Sequence, residues 1–171
     1  MKRILTTFAL LVVGCLTASS QSIPGITGSY GYNTGLISLN ADNTLSSNEM
    51  SLSFGYRFSR SFVLRTRTEI SIGLFDDAGD KDYARSGTLG LEAGYNIVSQ
   101  RDCAFEVAYA LGNTIGMPYW SYMYQDFGAK YYIGGYKSKI YFGAGVRYYS
   151  TQNENFGNLM NGYLSIGFTI N

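Results

Sequence analysis

Residues 62–75 read FVLRTRTEISIGLF, and their side chains separate into two sets by position. The even-numbered positions are apolar except for Thr66 and Thr68. The odd-numbered positions include Arg65, Arg67 and Glu69. Alternation with a period of two is typical of a β-strand with two different faces. A soluble sheet would turn the charges to water, whereas a membrane barrel would enclose them, so the rest of the chain must decide.

The composition favours a β-protein in contact with something other than water. Apolar residues make up 46% of the 171 residues and charged residues only 15%, against about 25% in an ordinary soluble domain. The chain contains 16 Tyr, 21 Gly and no His. Without His, a Ser–His–Asp catalytic site and a His-rich metal site are excluded. We therefore expect no enzyme activity, no bound metal and no cofactor.

The first 20 residues, MKRILTTFALLVVGCLTASS, have the order of a secretory signal peptide. Two cations open the segment, residues 4–13 are apolar, and residues 18–20 are small enough for a cleavage site. The apolar stretch is too short to span a bilayer as a helix. We expect residues 21–171 to form the mature domain. Cleavage would take the formal charge from +1 to −1, which gives no strong bulk attraction for nucleic acid.

Cys15 allows a second interpretation of the signal segment. It follows Val12, Val13 and Gly14 in a pattern that resembles a bacterial lipobox, which would make Cys15 a lipidated first residue. Cys103 is the only other cysteine, so the sequence predicts no disulfide framework.

Alternation of period two recurs along the rest of the chain, and no helical periodicity of useful length appears. The alternating segments are 25–37, 48–59, 61–75, 86–98, 102–112, 121–134, 138–150 and 161–171. On each segment one face is rich in Leu, Ile, Phe and Tyr. The pattern predicts eight strands of an all-β protein. Thr66 and Thr68 interrupt the apolar face of the third strand and are a predicted position for a bulge.

The opposite face holds every charge within the segments and is otherwise rich in Gly and Ser. Glycine weakens a solvent-exposed strand but is useful inside a narrow barrel, where an eight-stranded lumen is just wide enough for side chains. We predict that this face lines the lumen. Glu49 belongs to it, and the predicted lumen charge network consists of Arg57, Arg65, Arg67, Glu69, Glu92, Glu106, Asp126, Lys130, Lys139 and Arg147.

Heights along the strands predict which charges are neighbours. The expected pairs are Glu106 with Lys130, Asp126 with Arg147, and Arg67 with Glu92. Buried charges must be paired or hydrated. We interpret these pairs as a plug of the lumen, and a relay for ions or protons is the functional alternative.

The links between segments alternate in length. Those after segments two, four and six are short, whereas those after segments one, three, five and seven contain about ten residues or more: SLNADNTLSS, DDAGDKDYARS, NTIGMPYWS and TQNENFGNLMN. Short periplasmic turns and long external loops are typical of outer-membrane barrels. An even strand number then places both barrel termini in the periplasm.

Aromatic residues gather at segment ends, where Tyr and Trp are expected to form girdles at the membrane interfaces. The predicted girdle consists of Tyr119, Trp120, Tyr122, Tyr124, Tyr131 and Tyr148.

With its signal segment, eight alternating segments and last strand GYLSIGFTIN, the chain resembles small eight-stranded bacterial outer-membrane proteins of the OmpA, OmpX and opacity type. The resemblance implies an antiparallel up-and-down transmembrane β-barrel in the outer membrane. Barrels of this type often end on an aromatic residue, whereas this chain ends on Asn171.

Three functions fit these patterns. The first is a monomeric barrel in outer-membrane lipid that binds an extracellular protein or surface ligand through its loops. The second is a narrow passive pore for ions or small solutes. The third is a soluble secreted barrel that binds an apolar ligand, which would require the leucine face to point inward.

Overall fold

The computed structural model describes residues 25–38, 44–77, 80–135, 138–151 and 157–170. The predicted signal peptide (residues 1–20), Cys15 and the C-terminal Asn171 lie outside the described residues. Within the described ranges no helix is long and apolar enough to cross a bilayer.

The chain forms a closed antiparallel up-and-down barrel in which each strand pairs with the next and the first pairs with the last. The predicted all-β fold class is confirmed. The strands are β1 (Gly25–Ser38), β2 (Thr44–Arg57), β3 (Phe62–Asp77), β4 (Asp80–Ser99), β5 (Cys103–Thr114), β6 (Tyr122–Gly134), β7 (Ser138–Thr151) and β8 (Leu159–Ile170).

The two ends of the barrel differ. The start of β1, the end of β8 and the links 58–61, 100–102 and 135–137 lie at one end, which we call the terminus end. Links 39–43, 78–79, 115–121 and 152–158 lie at the other, which we call the loop end.

The predicted long link after the third strand is wrong. Residues 76–86 were expected to form a loop, but β3 continues to Asp77 and β4 begins at Asp80, so the link covers only residues 78–79. The register runs on without a break from Ile72 opposite Arg85 to Asp77 opposite Asp80. Backbone pairing therefore extends the β3–β4 hairpin through a segment whose Asp and Gly content is typical of loops. The other loop-end links are also shorter than ten residues.

The side chains of β3 alternate as the sequence predicts. Ile70 is 63% exposed on the outside of the barrel, whereas Glu69 is 1% exposed inside it. The register of β3 with both neighbours is continuous, so the bulge expected near Thr66 and Thr68 is absent there. The Thr66 hydroxyl instead donates to the Phe54 carbonyl at 3.0 Å, which satisfies it on an apolar surface. Register shifts occur elsewhere, in β1 between Gly35 and Ile37 and in β4 between Asn96 and Val98.

Candidate functional site

The lumen is crossed by ion pairs that start from β3. Arg65 binds Glu106 through two nitrogens at 2.8 and 2.9 Å and also binds Glu92 at 2.7 Å. Arg67 lies on the same face and binds Glu69 at 2.6 Å and Glu92 at 3.1 Å. All five side chains are buried. Strands β3, β4 and β5 are therefore held together from inside as well as by their backbone ladders.

Arg147 on β7 connects the far wall of the barrel to β2 and β3. Its guanidinium lies 2.6 Å from Glu49, 2.6 Å from Asp126 and 3.0 Å from Glu69, and the side chain is fully buried. Because β7 is not a neighbour of β2 or β3 in the barrel, two of these contacts cross the lumen. Charge-assisted bonds of this length between buried groups are strong.

Each carboxylate at the edge of this network also accepts a bond from a tyrosine hydroxyl. Tyr149 donates to Glu49 at 2.5 Å, Tyr163 to Asp126 at 2.5 Å and Tyr132 to Glu106 at 3.0 Å. Buried carboxylates need several donors to offset their lost hydration. The tyrosines provide them without adding charge.

The structure brings together most of the predicted network, which we call the lumen network. Glu106 lies opposite Lys130 in the β5–β6 register, and Asp126 lies opposite Arg147 in the β6–β7 register. Lys130 makes its 2.8 Å ion pair with Glu92 rather than with Glu106. The members are Glu49, Arg65, Arg67, Glu69, Glu92, Glu106, Asp126, Lys130 and Arg147.

Two predicted members lie nearer the terminus end. Lys139 is the second residue of β7 and donates from its ammonium to the Gln100 carbonyl at 3.0 Å. Arg57 ends β2 and is half-buried. They line the mouth of the lumen at this end.

The aromatic girdle expectation is wrong for Trp120, Tyr122 and Tyr124, whose side chains lie inside the barrel with 0% exposure. Tyr122 and Tyr124 share the parity of Asp126, so the strand turns them inward with the charges. Trp120 lies in link 115–121 and packs on Phe75 and Tyr122, with ring centroids 5.3 and 4.5 Å apart. These rings, with Ala84, Ala110, Tyr149 and Leu159, form an aromatic cap at the loop end of the lumen.

The other three predicted girdle residues have outer positions. Tyr119 in link 115–121 is 59% exposed. Tyr131 and Tyr148 are partly exposed and have the outward parity of their strands, opposite Phe142 and Met160 respectively.

The lumen accommodates tyrosine rings because glycines stand opposite them. A Cβ added to Gly112 would lie 2.6 Å from Cε1 of Tyr124, its partner in the β5–β6 register. A Cβ on Gly145 would lie 2.5 Å from the Tyr163 hydroxyl. The inward glycines thus provide space for specific rings.

A small cavity lies within the lumen network. A cavity of about 10 Å³ is lined by Arg67, Glu92, Asp126, Lys130 and Tyr163, which is roughly room for one water molecule. In the described part of the chain, no group of three or more Cys, Asp and Glu side chains is arranged to hold a metal ion.

Sequence reasoning missed the inward tyrosines Tyr132, Tyr141, Tyr149 and Tyr163, all of which are buried. Strict parity would have found them, since Tyr141 and Tyr149 lie at even spacing from Arg147. The aromatic character of tyrosine favours an outward position on a membrane strand, but a phenol also suits a polar lumen when its hydroxyl has a partner.

Comparison with known proteins gives a match in structure but none in sequence. No protein-family model matches the chain, and no curated protein matches it. The crystal structure of Neisserial surface protein A superposes with a TM-score of 0.52 at 14% identity, over 87% of this chain and 99% of that one. The N-terminal β-barrel domain of Pseudomonas aeruginosa OprF gives a TM-score of 0.46 at 12% identity, over 84% and 97% of the two chains. The likeness to the neisserial protein shows that this chain has the fold of a small eight-stranded barrel.

Proposed function

We propose that the protein is an integral outer-membrane barrel with a closed lumen, which acts as a structural or surface-interaction protein through its loop end. One observation carries the proposal: the barrel is apolar outside and charged inside. Phe54 and Ile70 are 58% and 63% exposed, whereas Arg65 and Glu69 are 2% and 1% exposed. Exposed apolar surface of this extent is costly in water, and lipid removes the cost.

The closed architecture also fits a bilayer. Backbone groups in hydrocarbon must be paired within the protein, and closure of β1 onto β8 leaves no open edge along the paired strands. The orientation of the leucine face also favours the proposal over the third function, since the leucines of a ligand-binding soluble barrel would have to line the lumen. Leu64, Leu89 and Leu164 are all exposed instead.

Membrane insertion can be tested by folding the mature chain into detergent micelles and into lipid vesicles. We expect a folded form that migrates differently on a gel before and after boiling, and that stays with the membrane fraction after an alkaline wash. A mature chain that stays soluble without detergent and shows no heat-dependent migration would contradict the proposal.

The sidedness of the barrel can be tested on intact bacteria. A peptide tag inserted in link 152–158 should be labelled by antibody on whole cells. The same tag in link 135–137 should be labelled only after the outer membrane is made permeable. The reverse result would place the loop end in the periplasm and remove the basis for a surface role.

A narrow pore is the second candidate, because charged side chains line the middle of the lumen. The aromatic cap and the lumen network support a closed lumen instead. Recording in planar bilayers distinguishes the two. We expect no stable open conductance, whereas a stable single-channel current that appears with the folded protein would favour the pore.

A further inference from the structure

The terminus end carries two exposed arginines on the outer rim of the barrel. Arg60 lies in link 58–61 and Arg101 in link 100–102, and both are exposed. Neither guanidinium forms an ion pair with any residue that the structure describes. The arginines of the lumen network have their charges neutralised within the chain, so Arg60 and Arg101 differ from them in having charge available for an outside partner.

The backbone that carries Arg60 is fixed. The Ser59 hydroxyl accepts bonds from the backbone N–H groups of Ser61 and Phe62 at 3.3 and 3.1 Å. On the neighbouring strand, Asn96 donates from its backbone to the Ser61 carbonyl at 2.6 Å. A rigid turn lowers the entropy cost of holding a side chain near a ligand.

The second link is also constrained on both sides of Arg101. The backbone N–H of Gln100 donates to the Cys103 carbonyl at 2.8 Å, which closes the link. The backbone N–H of Gly134 on β6 donates to the Asp102 carbonyl at 3.0 Å. Arg101 therefore projects from a turn that is tied to the next hairpin.

Outward apolar side chains lie beside both arginines. Phe58 and Phe62 flank Arg60 in the chain, are 55% and 41% exposed, and have ring centroids 5.9 Å apart. Ile97, near the end of the strand that leads to Arg101, is 50% exposed. If the apolar band lies in lipid, these side chains mark its edge, and the two guanidinium groups stand at the level of the headgroups.

The two ends of the barrel also differ in the sign of their charge. Among the described residues of the terminus-end links, Arg60 and Arg101 are the cations and Asp102 is the only acidic residue. Towards the loop end, the sequence of residues 76–85 contains four Asp against Lys81 and Arg85. An anionic partner at the membrane surface is therefore attracted more strongly to the terminus end.

We propose that Arg60 and Arg101 bind the phosphate groups of anionic phospholipids in the leaflet at the terminus end, an inference that rests on the proposed membrane location. A guanidinium offers a planar pair of donors that matches phosphate oxygens. A phospholipid fits better than a soluble anionic polymer, because Phe58 and Phe62 place the charge beside acyl chains rather than in open water.

The test measures lipid preference with the full mature chain folded in phosphatidylcholine vesicles. Traces of spin-labelled phosphatidylglycerol or spin-labelled phosphatidylcholine report how much of each lipid is held at the protein surface. The variants are the double substitution R60Q/R101Q and the control R85Q, which removes one exposed, outward arginine from β4 near the loop end. The wild type should prefer phosphatidylglycerol, and each of the two arginines should raise the ratio of bound phosphatidylglycerol to bound phosphatidylcholine about fivefold. Added salt should weaken this preference.

We expect the double variant to lose the preference and R85Q to keep it, with all three proteins folded as judged by heat-dependent migration. Equal preference in the wild type and the double variant, or equal loss in R85Q, would overturn the inference. Binding of a soluble anionic cell-wall fragment that depends on both arginines, without any lipid preference, would assign the rim to a polymer instead. A chain that does not enter vesicles at all would contradict the proposed function. That result differs from loss of lipid preference in a folded barrel, so failure of the proposed function can be told apart from failure of the lipid inference.

Discussion

At the residue scale, the account depends on charges that are buried only because they are paired. Arg147 is the clearest example, since Glu49, Glu69 and Asp126 all lie within 3.0 Å of its guanidinium nitrogens. The Tyr124 ring also lies 4.4 Å from the Arg147 Cζ atom, in a cation–π contact. Removal of this one cation leaves Glu49 without its ion pair and leaves Glu69 and Asp126 with Arg67 as their shared cation.

We therefore expect Arg147→Met to lower the free energy of unfolding by about 3–5 kcal/mol, the usual cost of leaving a buried charge unpaired. The change can be measured by urea unfolding in micelles, with the fluorescence of the single tryptophan as the signal. Arg85→Met is the control, because Arg85 is exposed on β4. Similar unfolding curves for the two variants would contradict the role of the lumen network.

The glycines of the inward face lead to a second prediction at this scale. A methyl group on Gly112 would meet the Tyr124 ring at 2.6 Å, so Gly112→Ala should cost about 1–3 kcal/mol through overpacking. Adding Tyr124→Leu should recover part of that loss. Gly87 is the matched control, since a Cβ there would have only the Glu69 carbonyl at 3.9 Å. If the losses of unfolding free energy from the two substitutions simply add in the double variant, the Tyr124 ring is not the cause of the overpacking at Gly112.

At the element scale, the sequence predicted the strands better than their ends. Period-two alternation located all eight strands, because burial of one face enforces it along each strand. The β3–β4 hairpin was missed beyond residue 75, since pairing of Leu74 with Tyr83 and of Ile72 with Arg85 continues where composition indicates a loop. Charge pairs between neighbouring strands can be predicted from the position of each residue along its strand. Contacts across the lumen, such as Arg147 with Glu69, cannot, because they depend on how the barrel closes and on the length of the side chains.

Link 115–121 gives the prediction for this scale, because it turns Trp120 into the lumen and leaves Tyr119 outside. In vesicles that contain brominated lipid, the fluorescence of Trp120 should be quenched little, since the ring packs on Phe75 and Tyr149 within the aromatic cap. The variant Y119W/W120F moves the indole to the outer surface of the loop and should be quenched more. Strong quenching of the wild-type fluorescence would place Trp120 in the membrane girdle and contradict its position in the lumen.

At the scale of the whole molecule, the barrel interior is filled by paired polar side chains. The apolar outer surface is not covered by any other part of the described chain. Ion pairs and tyrosine hydroxyls connect strands β2 to β7 across the lumen, and the aromatic cap covers the loop end. The outer surface between the two ends has large exposed apolar side chains on all eight strands. This arrangement is the inverse of a soluble barrel, and lipid is the solvent that suits it.

The central claim is that the charged face of each strand lines the lumen and the apolar face contacts lipid. The most direct measurement places single nitroxide labels along residues 62–75, in a background without native cysteines, and records collisions with oxygen and with a water-soluble relaxing agent in vesicles. We predict high oxygen accessibility at positions 64, 70, 72 and 74 and low accessibility to both agents at positions 65, 67, 69 and 71, a pattern with a period of two. The opposite phase, or equal accessibility at all positions, would contradict the account.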